Sequence, residues 1–233
     1  MYDFDLFVIG GGSGGVACAR RAATYGARVA IAEESRMGGT CVHRGCIPKK
    51  LMVYASQFSH ENEDSLGYGW TVDNPTFDWS ALVKNKNSEL NRLEKIYRNM
   101  LKDAKVKSFD GRAVLSGTNQ VFVNGEYYTA DNILIATGGI PNLPNIPGVE
   151  LGITSNQVFD IPCLPDRIVI VGGGYIACEL SGIFNGLGAK TLQLHRSSMI
   201  LRGFDHDLQI VASEEVRKSG IEIALNESVE RLQ

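Results

Sequence analysis

Apolar residues along this chain fall into two rhythms, short unbroken runs and stripes at helical spacing, and the two alternate. Phe4–Ile9 reads as a buried strand, residues 16–25 as a helix rich in Ala and Arg, and residues 28–32 as a second strand. Residues 46–58 take helical spacing, with Pro48 confined to the first turn. Residues 60–74 are polar and contain glycine, and are expected to form a loop. A long amphipathic helix is predicted over 79–105, with Leu82, Leu90, Leu93, Ile96, Tyr97 and Leu101 on its inner face. Short strands follow, punctuated by Gly117-Thr118-Asn119 and Asn124-Gly125, and residues 132–136 form another buried strand.

A second strand–turn–helix pattern begins at Arg167. It runs through a strand to Val171, a helix over 177–187, a strand over 190–194, a helix over about 207–219 and a strand over 221–225. Between the patterns, residues 141–165 hold Pro141, Pro144, Pro147, Pro162 and Pro165, five of the chain's seven prolines, and read as a crossing with little regular structure. The fold class is therefore α/β, with two Rossmann-like dinucleotide-binding domains. The expected limits are 1–145 for the first domain, 146–165 for the linker and 166–233 for the second. Three strands do not complete a doubly wound sheet, so the second domain is expected to be incomplete and the chain to be the N-terminal portion of a longer protein.

Both patterns carry glycine fingerprints where strand turns into helix. In Gly10-x-Gly12-x-x-Gly15, Gly10 makes the tight turn, Gly12 lets a pyrophosphate approach the backbone, and Gly15 lets helix and strand close. The helix start offers free N–H groups to phosphate, and Glu33, about 20 residues on, can accept ribose hydroxyls. The second fingerprint is Gly172-x-Gly174-x-x-Ala177. Where the first has Glu33, this one has Leu194-His195-Arg196, followed by Arg202. Guanidinium groups pair with a 2′-phosphate that a carboxylate would repel, which favours NADP over NAD. Arg196 and Arg202 read as ordinary solvated charges are the plainer alternative.

Net charge is −3, with 21% charged residues, which marks neither a nucleic-acid binder nor an anionic-membrane binder. No apolar run reaches the roughly 18 residues of a membrane span, and the acidic start Met1-Tyr2-Asp3-Phe4-Asp5 is unlike a signal peptide, so a cytoplasmic location is expected. The five cysteines are an odd, irregular set. Cys18 and Cys178 read as buried small hydrophobes, and Cys163 carries no readable role. Cys41 and Cys46, in Gly38-Gly39-Thr40-Cys41-Val42-His43-Arg44-Gly45-Cys46-Ile47-Pro48-Lys49-Lys50, form a close pair suited to redox or metal chemistry. Zinc prefers shorter spacings and a fourth ligand, which His43 alone does not complete, and no metal is expected. Cys46 opens a helix with Lys49 and Lys50 one turn on. Lowering a thiol from a pKa of about 8.5 to about 6.5 takes roughly 2.7 kcal/mol of such electrostatic help.

These motifs, with Ile133-Leu134-Ile135-Ala136-Thr137-Gly138-Gly139 and Gly172-Gly173-Gly174-Tyr175-Ile176-Ala177-Cys178-Glu179, resemble those of the pyridine nucleotide–disulfide oxidoreductases, from the N-terminus to about Asp205. Within the family the likeness is greatest to the members that reduce glutathione disulfide. The resemblance implies two cofactors, FAD and NADPH, and an oxidoreductase acting through a Cys41/Cys46 redox disulfide. By position, Cys46 would face the flavin and Cys41 would attack glutathione disulfide. Tyr175 would gate the nicotinamide, and Lys49 and Glu179 would pair beside the flavin. Gly10, Gly12, Ser13, Gly14, Gly15, Glu33, Gly39, Thr40, Cys41, Lys49, Ala113, Thr137 and Gly138 match FAD positions. Gly173, Ile176, Glu179, Arg196 and Arg202 match NADPH positions. Ser13, Arg20 and Tyr97 match glutathione contacts; from the residues alone, Arg20 reads as a solvated helix charge and Tyr97 as a core aromatic.

Three departures stand out. None of the four histidines, His43, His60, His195 and His206, lies in the family's His-Pro motif. The proton-donating His is therefore expected from the second subunit of a homodimer, beyond Gln233. The second flavin segment and the C-terminal dimerisation domain are also absent, and Met100 replaces a polar residue. Pro48-Lys49-Lys50 differs from the Pro-Ser-Lys of dihydrolipoyl dehydrogenases and mercuric reductases, whereas trypanothione reductases share it. The alternatives to glutathione are a related low-molecular-weight disulfide, trypanothione included, or a flavin-binding module without turnover.

Overall fold

The computed structural model describes residues 1–233, which divide into two compact units, Met1–Pro48 with Asn87–Ile140, and Lys49–Lys86 with Pro141–Gln233. The α/β class expected from the sequence is what the chain adopts. In the first unit, β1 (Phe4–Ile9), α1 (Ser13–Thr24) and β2 (Val29–Glu33) form the opening βαβ turn, followed by α2 (Gly39–Arg44). Two helices, α3 (Cys46–Ser65) and α4 (Trp79–Asp103), each contain a unit boundary. Then come β3 (Lys107–Asp110), β4 (Val114–Gly117), β5 (Gln120–Val123) and β6 (Glu126–Ile135).

The six strands order as β3-β2-β1-β6-β5-β4. The strands from β3 to β6 run parallel, and β6-β5-β4 is an antiparallel meander. Strand β6 serves both parts: residues 126–129 pair with β5, and residues 130–135 lie beside β1. Val8, Val16, Ile31, Met37 and Leu101 pack on one face of the sheet, and Phe7, Phe109, Val121 and Val123 on the other. Phe7 stacks on Phe109 at 5.9 Å between ring centroids. Because β1 and β2 are covered on both faces, they read as unbroken apolar runs.

In the second unit, β7 (Arg167–Val171), β8 (Lys190–His195) and β9 (Glu222–Leu225) form a parallel sheet in that order, with α5 (Tyr175–Gly186) and α6 (His206–Lys218) in the crossovers. Asp205 caps α6 by accepting the Asp207 N–H. Leu180, Ile183 and Phe184 on α5 pack with Met52, Trp79, Val158 and Phe159. The proline-rich stretch is irregular apart from two short 3₁₀ turns, Val149–Leu151 and Val158–Asp160, as its composition predicts. It is nevertheless anchored, because Trp79 Nε1 donates to the Ile161 carbonyl at 2.9 Å.

Three sequence expectations need correction. Helix α3 runs to Ser65, well into the segment expected to be a loop. Residues 60–65 contain no Gly or Pro, so their polarity marks a solvent-facing helix rather than a break. On α4, Leu90 and Leu101 are buried, but Ile96 is exposed. Cys18 and Cys178 are only half-buried.

Lys86 of α4 is a buried cation that the periodicity does not announce. Its side chain has no solvent exposure and donates to the Phe159 carbonyl at 2.7 Å and to Asp160 Oδ1 at 2.8 Å. Such charge-assisted bonds are worth about 1.5–3 kcal/mol, and losing them leaves a buried carbonyl unpaired. Lys86→Ala is therefore expected to cost about 2 kcal/mol. Lys86→Met, which keeps the stem and removes the charge's desolvation cost, is expected to lose less. Urea unfolding midpoints followed by tryptophan fluorescence would read the difference, and a Lys86→Met variant as stable as the wild type would show that the ammonium contributes nothing beyond its stem.

Candidate functional site

In the first unit the strand-to-helix turn is shaped by backbone contact. Gly10 has φ +109, and a Cβ there would strike the Ala136 carbonyl. A Cβ on Gly15 would fall onto the Gly10 carbonyl oxygen. The N-cap of α1 is Gly12, which provides no side-chain cap, so the first N–H groups of the helix stay open, flanked by the exposed Ser13 and Gly14. Glu33 at the end of β2 fastens the turn. Its Oε2 accepts the Gly11 N–H at 2.7 Å and its Oε1 accepts the Ser35 N–H at 2.9 Å.

The segment leading to the cysteines docks directly on this turn. The Gly38 N–H donates to the Gly11 carbonyl at 2.8 Å. Gly39 (φ +62) lies so close to Gly12 that a Cβ on it would sit 2.6 Å from the Gly12 Cα. Glycine is required there by both conformation and space. Helix α2 follows, carrying Thr40 and Cys41; the chain breaks at Gly45, and Cys46 opens α3. Cys41 and Cys46 are joined as a disulfide, with Cα atoms 4.6 Å apart. Cys46 is exposed and Cys41 half-buried. The expected pair is thus brought together, one helix away from the first glycine turn.

His43, between the cysteines, is buried, and its Nε2 lies 2.9 Å from the Met37 carbonyl, which makes Nε2 the protonated nitrogen. Nearby, Glu94 of α4 accepts from Arg36 at 2.8 Å and from Arg98 at 3.1 Å. Arg98 also donates to Asp110 at 2.9 Å. Burial works to raise the Glu94 carboxyl, but Arg36 and Arg98 outweigh it and hold the group below its usual range. This Arg36–Glu94–Arg98–Asp110 chain ties the segment before the cysteines to α4 and β3. Sequence reasoning missed it, because residues 36 and 94 carry no recognisable spacing.

The remaining first-unit positions fall as follows. Thr137 and Gly138 (φ +72) are exposed, immediately after β6. Ala113 packs against the aromatic cluster between β3 and β4. Arg20 of α1 is exposed and reaches Met100 Sδ at 3.4 Å, one turn of α4 beyond the half-buried Tyr97. Tyr97 packs on the core cluster, as an aromatic on the inner face of α4 should.

The second unit repeats the turn. The Gly172 N–H donates to the Leu194 carbonyl at 2.9 Å, as the Gly10 N–H does to Ala32 at 2.8 Å. This register puts His195 at the place of Glu33. Gly174 is an N-cap without a side-chain cap, and Tyr175 and Ile176 at the start of α5 are exposed. A Cβ on Gly173 would strike the His195 ring. Burial pushes His195 down, and the charges of Arg196 and Arg202 add to this, so both arginines lie within electrostatic reach of its ring. Both are exposed and free of salt bridges. Also in this unit, Lys49 Nζ pairs with Glu179 Oε1 at 2.9 Å.

Two open-ended helix N-termini behind glycine turns, one followed by a carboxylate and the other by arginines, with a disulfide docked on the first, are the parts that a dinucleotide-dependent thiol–disulfide redox protein would need. Comparison with known proteins agrees. The pyridine nucleotide-disulphide oxidoreductase family model matches residues 4–233, and the chain belongs to that family. It is 54% identical over 228 residues to a glutathione reductase of Burkholderia cepacia, covering 98% of this chain and 51% of that protein. It is 48% identical to the chloroplastic/mitochondrial glutathione reductase of Pisum sativum, covering 98% and 43% respectively. The chain spans about half the length of these curated relatives. Among solved structures, the Cu(II) complex of the HOCl-induced flavoprotein disulfide reductase RclA from Escherichia coli superposes with a TM-score of 0.84 at 29% identity, over 97% of this chain and 50% of that one. No helix is long and apolar enough to cross a membrane.

Burial first, then the positive charge of Arg36, pushes His43 below its ordinary value of 6.5, while the Met37 carbonyl and Glu94 pull the other way. A histidine held neutral in the fold binds fewer protons than it does unfolded at pH values between its folded and unfolded pKa. Its contribution is therefore whole above about pH 6.5 and is lost as pH falls toward the folded value. The thermal midpoint is expected to drop on acidification from pH 7.5 to 5.5, and His43→Gln is expected to show a smaller drop. An unchanged slope in that variant would remove His43 from the account.

Proposed function

We propose that the protein of which these residues are part reduces glutathione disulfide with NADPH, through FAD and the Cys41–Cys46 disulfide. One observation carries the reading: the disulfide is docked by backbone contacts onto the first glycine turn. The glutathione reductases among its relatives supply the substrate class.

The residues suit the cofactors. The open N–H groups behind Gly12 and the cradle that Gly10, Gly15 and Gly39 keep free of side chains suit the pyrophosphate of FAD, and Glu33 suits its ribose. Thr40, Ala113, Thr137, Gly138 and Lys49 belong to the same proposed set. Gly173, Ile176 and Glu179 would hold NADPH, Arg196 and Arg202 would grip its 2′-phosphate, and Tyr175 would cover the nicotinamide. Bound FAD would supply the two-electron link between a hydride donor and the disulfide.

The chain's own part begins with the reduced pair. The Cys41 thiolate attacks one sulfur of glutathione disulfide, forming a mixed disulfide and releasing one glutathione thiolate, which takes a proton. Cys46 then attacks the Cys41 sulfur, re-forming the protein disulfide and releasing the second glutathione. Per turnover, NADPH, a proton and one glutathione disulfide yield NADP⁺ and two glutathione thiols. Cys46 opens α3, where the helix dipole stabilises a thiolate. Ser13, Arg20 and Tyr97 would contact the glutathione, with Arg20 meeting a glycine carboxylate. A homodimer is proposed, with a histidine of the second subunit as proton donor, and the domain limits 1–145, 146–165 and 166–233 belong to this reading. A cytoplasmic setting suits a thiol pair that must cycle.

The full-length enzyme mixed with NADPH is expected to show a long-wavelength thiolate–flavin band and to consume NADPH when glutathione disulfide is added. Reduction without disulfide-dependent turnover would leave a flavin-binding module. Cys41→Ser is expected to keep the band and lose turnover, whereas Cys46→Ser loses both; the reverse pattern would exchange the two roles.

Arg196→Ala combined with Arg202→Ala is expected to raise the KM for NADPH roughly 10- to 100-fold, at about 1.4 kcal/mol per tenfold, and to leave that for NADH nearly unchanged. Equal effects on both would mean that the arginines do not read the 2′-phosphate.

A further inference from the structure

We propose that Gln193 is a positioning residue for the second dinucleotide turn, its buried amide holding the Gly172 carbonyl in place of the carboxylate lock that the first turn takes from Glu33. The inference rests on the reading of that turn as the NADPH site.

The two turns share one backbone register, so they compare residue by residue. Gly172 corresponds to Gly10, Leu194 to Ala32, His195 to Glu33 and Gln193 to Ile31. In the first turn the lock is electrostatic: Glu33 accepts the Gly11 N–H, and Ile31 is a fully buried aliphatic with nothing to donate. A carboxylate in the second turn would face a 2′-phosphate with like charge, and the chain has His195 there instead. The His195 ring packs against Gly173, but its Nε2 is buried without a hydrogen-bond partner, so it does not replace the lock.

Gln193 is fully buried in the middle of β8, flanked by Leu192 and Leu194. Its Nε2 donates to the Gly172 carbonyl at 3.0 Å and lies 3.5 Å from Cys178 Sγ on α5. Its Oε1 is buried and unpaired. A buried amide with one end unsatisfied carries a desolvation cost that an aliphatic residue would avoid. What the amide obtains is a fixed orientation for the first glycine of the turn (φ +150), and hence for the N–H groups of Gly173 and Gly174 that follow it.

The test uses the purified flavoprotein and NADP⁺ as the titrant, with affinity read by calorimetry. Gln193→Met keeps the volume and removes the donor. Gln193→Asn keeps an amide but shortens it out of reach, and stands in if the Met variant fails to fold. Either is expected to weaken NADP⁺ binding roughly tenfold, with flavin content retained and kcat at saturating NADPH within about twofold. Adding His195→Glu to Gln193→Met restores a carboxylate at the Glu33 position, and is expected to recover binding of NAD⁺ but not of NADP⁺. Wild-type affinity for NADP⁺ in both single variants would overturn the role of Gln193. A wild-type protein that binds no NADP⁺ would instead overturn the reading of the turn.

Discussion

Everything else here depends on how closely a helix can start behind a strand. At Gly15 the helix backbone touches the carbonyl of Gly10, and no side chain fits between them. That contact fixes where α1 begins, and so where its unpaired N–H groups point. A methyl group at Gly15 would push the helix away, and the proposed phosphate cradle would open. The second turn carries Ala177 at the matching position, with a hypothetical Gly172 Cβ 3.3 Å from the Ala177 methyl. Its spacing is therefore slightly looser, and its shape relies more on side-chain bonds.

The same constraint carries through to the disulfide. Gly38 and Gly39 meet Gly11 and Gly12 backbone to backbone, so α2 and Cys41 are placed by main-chain contact rather than by long side chains. Main-chain contacts lose little rotamer entropy and cannot swing. Side chains then stiffen the arrangement: His43 ties the inter-cysteine segment to Met37, and Arg36 ties its base to Glu94.

Much of this was legible in the sequence because it depends on period and on glycine. The strands at Phe4–Ile9 and Arg167–Val171 are unbroken apolar runs with glycine directly after, a pattern with few competing solutions. The cysteine pair, Glu33 and the second turn's basic residues follow from spacing alone. Resemblance, rather than spacing, suggested pairing Lys49 with Glu179, 130 residues apart in the chain. Illegible were features set by tertiary partners. Lys86 is buried because a carbonyl and a carboxylate wait for it around residue 160, and Glu94 matters because Arg36 and Arg98 converge on it. The length of α3 is not legible either, because a polar stretch looks the same whether it is a loop or the wet face of a helix. Gln193 did leave a signal, a lone amide between two leucines of β8, but its meaning required the register of the turn.

On the proposed reading, the two turns are one scaffold charged for two ligands. A dinucleotide turn needs its first two glycines oriented, and a carboxylate on the following strand does this while also suiting a free ribose. A ligand with a phosphate at that ribose forbids the carboxylate, so orientation and recognition have to be separated. In the second turn the arginines lie outside, on the exposed segment after β8, and the orienting bond lies inside the strand, one residue earlier, where no charge is needed. Changing nucleotide preference in this scaffold therefore involves two coupled positions. Replacing the arginines alone would remove the attraction for a phosphate without restoring the contact that a ribose-reading turn uses.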